Sequence, residues 1–404
     1  MRNIFLILSA VIFLTSCASK APPDDRIVLT WWQFWAEPYQ KPVVRQLIDE
    51  FERLHPKVKI DMTELTWSSG HDKIVAAFAA GRAPDVVELG SDWVYEFASR
   101  GVLADVTPSA NEVKKDFMGW ESCQFNGKTY GFPWMLGSRA IFFNRDIVKN
   151  DSIRNWNDLL TEVKKAYRPE REIYGFGNTK KEPHQLYKKI LPFFWSNGGD
   201  ILSQDQTRSV INSNENIEAL NFYLQLCQYG LLESQKNLDD KFVQGHIAFV
   251  FSGGWLIKKI NDQNPDLNYG ILQFPQKEIS KPAFSFYGGE YLTINARSAI
   301  SDTAIEFIRF LIDKKNTLML SSISKVTLPA AISAVKDSYF IDNPYEGVLA
   351  KQLSSSRPSP IHPQWVKIEN VIEDEVEQAV YGKKTAKLAL ESAHERIQSI
   401  LQKP

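Results

Sequence analysis

Cysteine is scarce, with three in 404 residues, too few for a disulfide framework in a chain of this length. A surplus of charge is missing as well: Lys and Arg number 47, Asp and Glu 48, and the formal net charge is −1. That removes the basic footprint by which nucleic-acid binders are recognised. The sequence contains no GxxxxGK[ST] phosphate loop, HExxH, CxxC or GxSxG. His55, His71, His184, His246, His362 and His394 are scattered without metal-ligand spacing. Gly175-Phe176-Gly177 lacks the third glycine of a dinucleotide loop and reads as a turn. No metal, no cofactor, no nucleic acid and no catalytic residue is therefore expected. The paired carboxylates of a glycosidase, about 5–9 Å apart, are set by tertiary structure and leave no local motif. After residue 14 no stretch approaches eighteen apolar residues, and neither repeats nor low-complexity tracts occur.

What is present is an ordinary globular composition, 44% hydrophobic and 24% charged, in a length that calls for two or three lobes. Eleven Trp and 24 Phe stand out. Trp needs a partner for its N–H as well as a place for its ring, so the excess hints at a surface that stacks flat ligands. The chain begins with Arg2 and an apolar run over Ile4–Leu14. Eleven helical residues span about 16 Å against a hydrocarbon core of about 30 Å, which makes this a signal h-region and not a membrane span. Leu14-Thr15-Ser16-Cys17 resembles the bacterial lipobox. That resemblance implies cleavage before Cys17 and acylation of its thiol, with Ala18–Asp25 as a polar tether. The mature chain is then exported and lipid-anchored at the outer face of the cytoplasmic membrane or in the periplasm.

Ile27–Trp32 reads as a buried strand, and Pro42 opens a helix whose Val43, Val44, Leu47, Ile48, Phe51 and Leu54 share one stripe. Val58–Met62 is a second strand, His71–Gly81 a helix and Asp85–Leu89 a third strand. Strand–helix–strand–helix–strand is the signature of a parallel α/β sheet. Further strands are expected at Ala140–Asn144, Ile247–Phe251 and Tyr291–Asn295. Helices are expected from an Asn212 or Ser213 cap to Gly230, over Ser301–Ile312, and twice within Val366–Leu401, one capped by Thr385. The acidic run Glu373–Glu377 reads as a solvated helix face.

Several passages in order resemble the extracellular solute-binding proteins of ABC importers, in the maltose-type, sugar-binding branch. They are Phe51–Pro56 before Val58-Lys59-Ile60, Ala80–Val87, Tyr130–Pro133 with Phe142–Asp146, Trp156–Leu160, Phe194–Gly199, and Phe242–Ala248 with Gly253-Gly254-Trp255. The resemblance implies two α/β lobes of the type II periplasmic-binding-protein class, joined by crossing strands with the ligand between them. The crossings fall near Leu136–Arg139, Tyr287–Glu290 and Leu328–Ala331. One lobe is expected to comprise 26–137 plus 291–330, the other 138–290 plus 331–404. The expected protein is a monomer that binds a mono- or oligosaccharide, closes, and delivers it to a membrane permease. Other solutes (a polyamine, an anion, a metal complex) or a polysaccharide-degrading lipoprotein are the alternatives.

A sugar offers an apolar C–H face and a rim of hydroxyls, so its site pairs aromatic planes with a few charged or amide groups. Ligands sit beyond the carboxyl ends of strands in α/β sheets, which nominates Gln33, Trp35 and Glu37 after the first strand. Trp67 is open between stacking platform and lobe packing, and Trp195 reads as packing. The resemblance nominates Asp92 for hydroxyl binding and Trp255 as the main stacking residue. It adds Trp134 and Arg139 at the first crossing, Tyr287 and Glu290 at the second, and Arg357. Relatives often carry an acid where this chain has Gly137, which departs from a maltose-like pattern. Cys123 and Cys227 are expected to be free thiols.

Overall fold

The computed structural model describes residues 25–325 and 327–402. The signal, Cys17 and the tether up to residue 24 lie outside the described residues. Four strands build the first half of the sheet: β1 (Ile27–Gln33), β2 (Val58–Glu64), β3 (Val86–Gly90) and the start of β4 (Phe132–Asn144). The second half comprises the end of β4 with β5 (Tyr174–Thr179), β6 (Gly230–Glu233), β7 (Ile247–Gly253) and β8 (Tyr269–Leu272). β9 (Ser285–Ile294) runs beside β4, and two short strands, β10 (Leu328–Pro329) and β11 (Ser356–Arg357), complete the sheet. The hydrogen-bonded order is β2-β1-β3-β9-β4-β7-β5-β6, with β8 and β10 on β4 and β11 on β9.

β1 is parallel to both β2 and β3. β3 is buried at every position, the continuous apolar run of a strand covered on both faces, whereas burial alternates along β1 and β2. The helix Lys41–Leu54 starts with Pro42 near its N-terminus and buries Val43, Val44, Leu47, Ile48 and Phe51 of the expected stripe, while Leu54 at its last position is exposed. Ser213 and Thr385 each accept a backbone N–H three residues on, as capping residues do.

β4 and β9 are longer than the short strands expected at Ala140–Asn144 and Tyr291–Asn295. β4 begins at Phe132 and runs through the glycine at 137 without a break. β4 and β9 are antiparallel from Tyr287↔Ser138 to Leu292↔Phe132, with a bulge between Glu290 and Tyr291. Leu328 and Pro329 pair with Leu136 and Met135. The three segments read as crossings are thus hydrogen-bonded neighbours. A bulge adds local twist and re-aims a side chain, here beside Glu290.

Two apolar clusters form the core, the first extending from the first half onto Phe242, Val250 and Ile257 of the second, the other on the second half. One gathers Leu29, Trp31, Phe97, Trp134 and Phe307, the other Trp156, Tyr187, Phe193, Tyr223 and Trp365. The acidic run is not a solvated face. Glu373 is fully buried, and its Oε1 accepts 2.9 Å hydrogen bonds from the amides of Gln185 and Leu186. It caps the N-terminus of the helix Leu186–Ser196 from a neighbouring helix, satisfying donors that the helix cannot satisfy itself. Periodicity alone cannot reveal such a partner. Among the described residues no helix is long and apolar enough to cross a membrane.

Candidate functional site between the two halves of the sheet

Asp92 follows β3, where the chain leaves the carboxyl edge of the first half-sheet. Its Oδ2 accepts a 3.0 Å hydrogen bond from the Tyr187 hydroxyl and lies 3.3 Å from Lys188 Nζ. Both partners belong to the helix Leu186–Ser196, which packs on the other half, so this cluster bridges the two halves. Burial pushes the Asp92 carboxyl up, but Lys188, His184 and the hydrogen bonds outweigh it and hold it below the usual carboxylate range. Gly90 makes room for the arrangement: a Cβ there would stand 2.9 Å from Asp92 Oδ1.

The opposing wall is built at the end of β7. Trp255, partly buried on the first turn of the helix Gly254–Gln263, donates its indole N–H to Asp239 Oδ2 at 2.8 Å. Asp239 also accepts from Gln235 Nε2 at 2.8 Å and from the Ser252 hydroxyl at 3.1 Å. A Cβ at Gly253 would fall 2.1 Å from Trp255 Cζ3, so only glycine lets the indole lie back over the strand. Beneath it, Arg139 pairs with Gly253 across the sheet and sets its guanidinium carbon 4.9 Å from the Trp255 ring centre.

A pair of acids lies where β3 and β9 meet. Glu88 is fully buried, and its Oε2 accepts 2.9 Å from the Phe34 amide. Glu290 is partly buried and accepts 2.9 Å from the Trp35 indole N–H. Burial raises both, Glu290 to about 8, and the charge of Glu290 raises Glu88 further. At neutral pH Glu290 is predominantly protonated and can donate a hydrogen bond as well as accept one. Tyr39 has the exposed Glu37, Asp262 and Glu290 as charged neighbours, and Lys258 Nζ lies 4.7 Å from its ring centre, a second contact between the halves.

Of the residues nominated from sequence, Asp92, Arg139 and Trp255 fall at this contact, with Trp35 and Glu290 hydrogen-bonded together near Glu37. Gln33 and Trp134 do not line it. Gln33 is fully buried, its amide nitrogen 3.3 Å from Met62 Sδ and its oxygen held by the Trp35 amide. Trp134 is fully buried and donates to the Leu311 carbonyl at 3.2 Å, because strand alternation turns it toward the helix Ser301–Leu311. Tyr287 is buried with its hydroxyl on Glu121. Arg357 stacks 3.6 Å from the Phe284 ring centre, with Asp200 as its charged neighbour, and contacts none of the groups above. Trp67 keeps 45% of its surface exposed and stacks on Phe34 at 4.2 Å. Trp195 packs in the interior, and Cys123 and Cys227 are free thiols. Sequence reasoning missed Tyr187, Lys188, Lys189, Asp239 and Glu88. The signal was present: paired lysines inside an apolar helix, and an acid in the middle of a buried strand.

A family model for the bacterial extracellular solute-binding proteins matches residues 36–317. The chain belongs to that family. Its members bind solutes and do not transform them, and they act outside the cytoplasm. A galactooligosaccharide-binding protein of Bacillus subtilis is 22% identical, over 97% of this chain and 95% of its own. Among solved structures, an ABC-transporter solute-binding protein of Thermotoga lettingae bound to α-D-tagatose superposes with a TM-score of 0.82 at 22% identity. The match covers 93% of this chain and 99% of that one. UgpB of Mycobacterium tuberculosis in complex with glycerophosphocholine gives 0.81 at 20% identity, over 92% and 98%. This family member therefore has the two-lobed, mixed α/β fold of the periplasmic binding proteins.

Proposed function

We propose that the protein is the substrate-binding subunit of an ABC carbohydrate importer, taking a mono- or oligosaccharide between its lobes and delivering it to a membrane permease. The observation that carries this is Arg139, which lies against the Trp255 ring and has Asp92 as a charged neighbour, so the indole and the carboxylate belong to one region. An indole plane suits the C–H face of a sugar ring, and carboxylates suit its hydroxyls. The sugar-binding relative supports the same class. Trp255 is the stacking platform, Asp92 and Glu290 are hydroxyl readers, and Arg139 with Glu37 and Trp35 completes the surroundings. Closure about β4 and β9 is a hinge motion, and ligand favours the closed form by touching both lobes. The lobes comprise 26–137 plus 291–330 and 138–290 plus 331–404.

Thermal-shift screening of a sugar panel, followed by calorimetry and an assay for new reducing ends, tests the reading. Binding without cleavage supports it. Stabilisation by no sugar at all, or release of reducing ends, contradicts it.

Export proceeds with cleavage before Cys17, which removes residues 1–16, then acylation of Cys17 and tethering by 18–25, as a monomer at the membrane surface. A Cys17→Ser variant released from membranes, with no acyl mass on the mature N-terminus, is the expected outcome. Unchanged membrane association contradicts the anchor.

A further inference from the structure

Three basic side chains, Arg139, Lys188 and Lys189, come from the second half to the contact, and two of them are committed. Lys188 is paired with Asp92, and Lys189, 3% exposed, donates to the Phe251 carbonyl at 2.6 Å. Arg139 is different. It is 7% exposed, its Nη1 is buried without a hydrogen-bond partner, and among the described residues it makes no ion pair. Its neighbours are ring faces, Trp255 at 4.9 Å and Phe286 at 5.7 Å. The nearby acids are spoken for: Asp92 by Tyr187 and Lys188, Asp239 by Gln235, Ser252 and Trp255. Gly137 shares the Arg139 face of β4, two residues back, and brings no carboxylate to it.

A buried donor without a partner costs about 1–3 kcal/mol, more when charged, so such a group in a binding cleft is poised for a ligand atom. Burial lowers the guanidinium only to about 10, so it is a cation at neutral pH. The planar fork of arginine matches carboxylate, sulfate and phosphate with two parallel hydrogen bonds, which a sugar hydroxyl cannot offer. The indole beside it holds the ring that carries that group.

We infer that Arg139 reads an anionic oxygen group on the ligand, so that the cleft selects an acidic sugar, bearing a carboxylate, sulfate or phosphate next to the ring stacked on Trp255. This rests on the sugar-binding reading above.

Calorimetry with matched probes tests it: galactobiose, digalacturonate, galactobiose sulfate, and glucose beside glucose 6-phosphate, at low and high salt. At least one acidic member is expected to bind tenfold or more tighter than its neutral counterpart, with the preference shrinking as salt rises. Whichever acidic member wins identifies the group. Arg139→Gln is expected to bring the acid down to the neutral affinity, and Arg139→Lys to restore part of the gap. If Arg139→Gln melts below the assay temperature, the wild-type preference alone decides. Neutral members binding as tightly as their acids overturn the inference and leave the sugar reading standing. No binding by any member overturns both.

Discussion

The Tyr187 hydroxyl donates a 3.0 Å hydrogen bond to Asp92 Oδ2, joining a helix of one half of the molecule to the edge of the other half's sheet. Lys188 reaches the same oxygen at 3.3 Å. One carboxylate thus serves as the latch between lobes. Asp92→Asn keeps the shape and loses the charge. A hydrogen bond to a charged group contributes about 1.5–3 kcal/mol, so sugar affinity should fall about 10- to 100-fold. Tyr187→Phe removes one donor to that charged group and should cost about tenfold, near 1.5 kcal/mol. Calorimetry that finds Asp92→Asn equal to wild type would remove the latch.

Trp255 supplies both a plane and a donor, and two substitutions separate them. Trp255→Ala should lower affinity by at least about 30-fold, the 2 kcal/mol or more of an aromatic anchor. Trp255→Phe keeps a ring and leaves Asp239 with Gln235 and Ser252, so it should retain a measurable part. Circular dichroism checks that both fold. Equal dissociation constants for Trp255→Ala and wild type would place the stack elsewhere.

Trp134 is expected to matter to folding and not to the ligand. It is fully buried against Trp31 and Trp35, with ring centres 6.0 and 5.4 Å away. Trp134→Ala should cost about 3–5 kcal/mol of stability, as large aromatic truncations do. Denaturant melts that leave the midpoint unchanged would contradict the packing described.

Stability should fall as pH rises. Burial lifts Glu373 to about 7 and Glu290 to about 8 in the folded chain, while unfolded carboxyls lose their protons near pH 4.3. Between those values the native state holds protons that the unfolded state has released, so the slope of stability with pH is negative. The contribution is complete below about pH 4.3, declines through pH 5–8 and is gone above that. His71 and His184, raised despite burial by Glu96 and Glu369, act in the same direction. Melting temperatures should therefore drop from pH 6 to pH 8.5, and Glu290→Gln, a permanent stand-in for the neutral acid, should flatten the drop. A rising melting temperature across that range would contradict the assignment.

Most of the first half-sheet was legible from sequence, because β1, β2 and β3 announce themselves by apolar runs and the stripe Val43–Leu54 by its period. β4 and β9 were read too short: Gly137 and Gly288-Gly289 look like turns until a neighbouring strand pairs with them. The same limit governs the site. Trp255 and Asp92 were legible through their flanking residues, whereas Trp134 passed for a cleft residue because strand alternation has no sign until the faces are known. Glu373 owes its role to a contact between helices nearly 190 positions apart in the chain, at Gln185 and Leu186, and Tyr187 owes its role to Asp92, 95 positions away. No local pattern encodes that.

The most direct measurement is amide hydrogen exchange with and without a saturating oligosaccharide taken from the thermal-shift screen. Protection is expected to rise together in two separated segments, Glu88–Trp93 after β3 and Phe251–Leu256 after β7, with no change in the ligand recovered. Protection confined to one of them, or appearing only outside both, would contradict binding between the lobes.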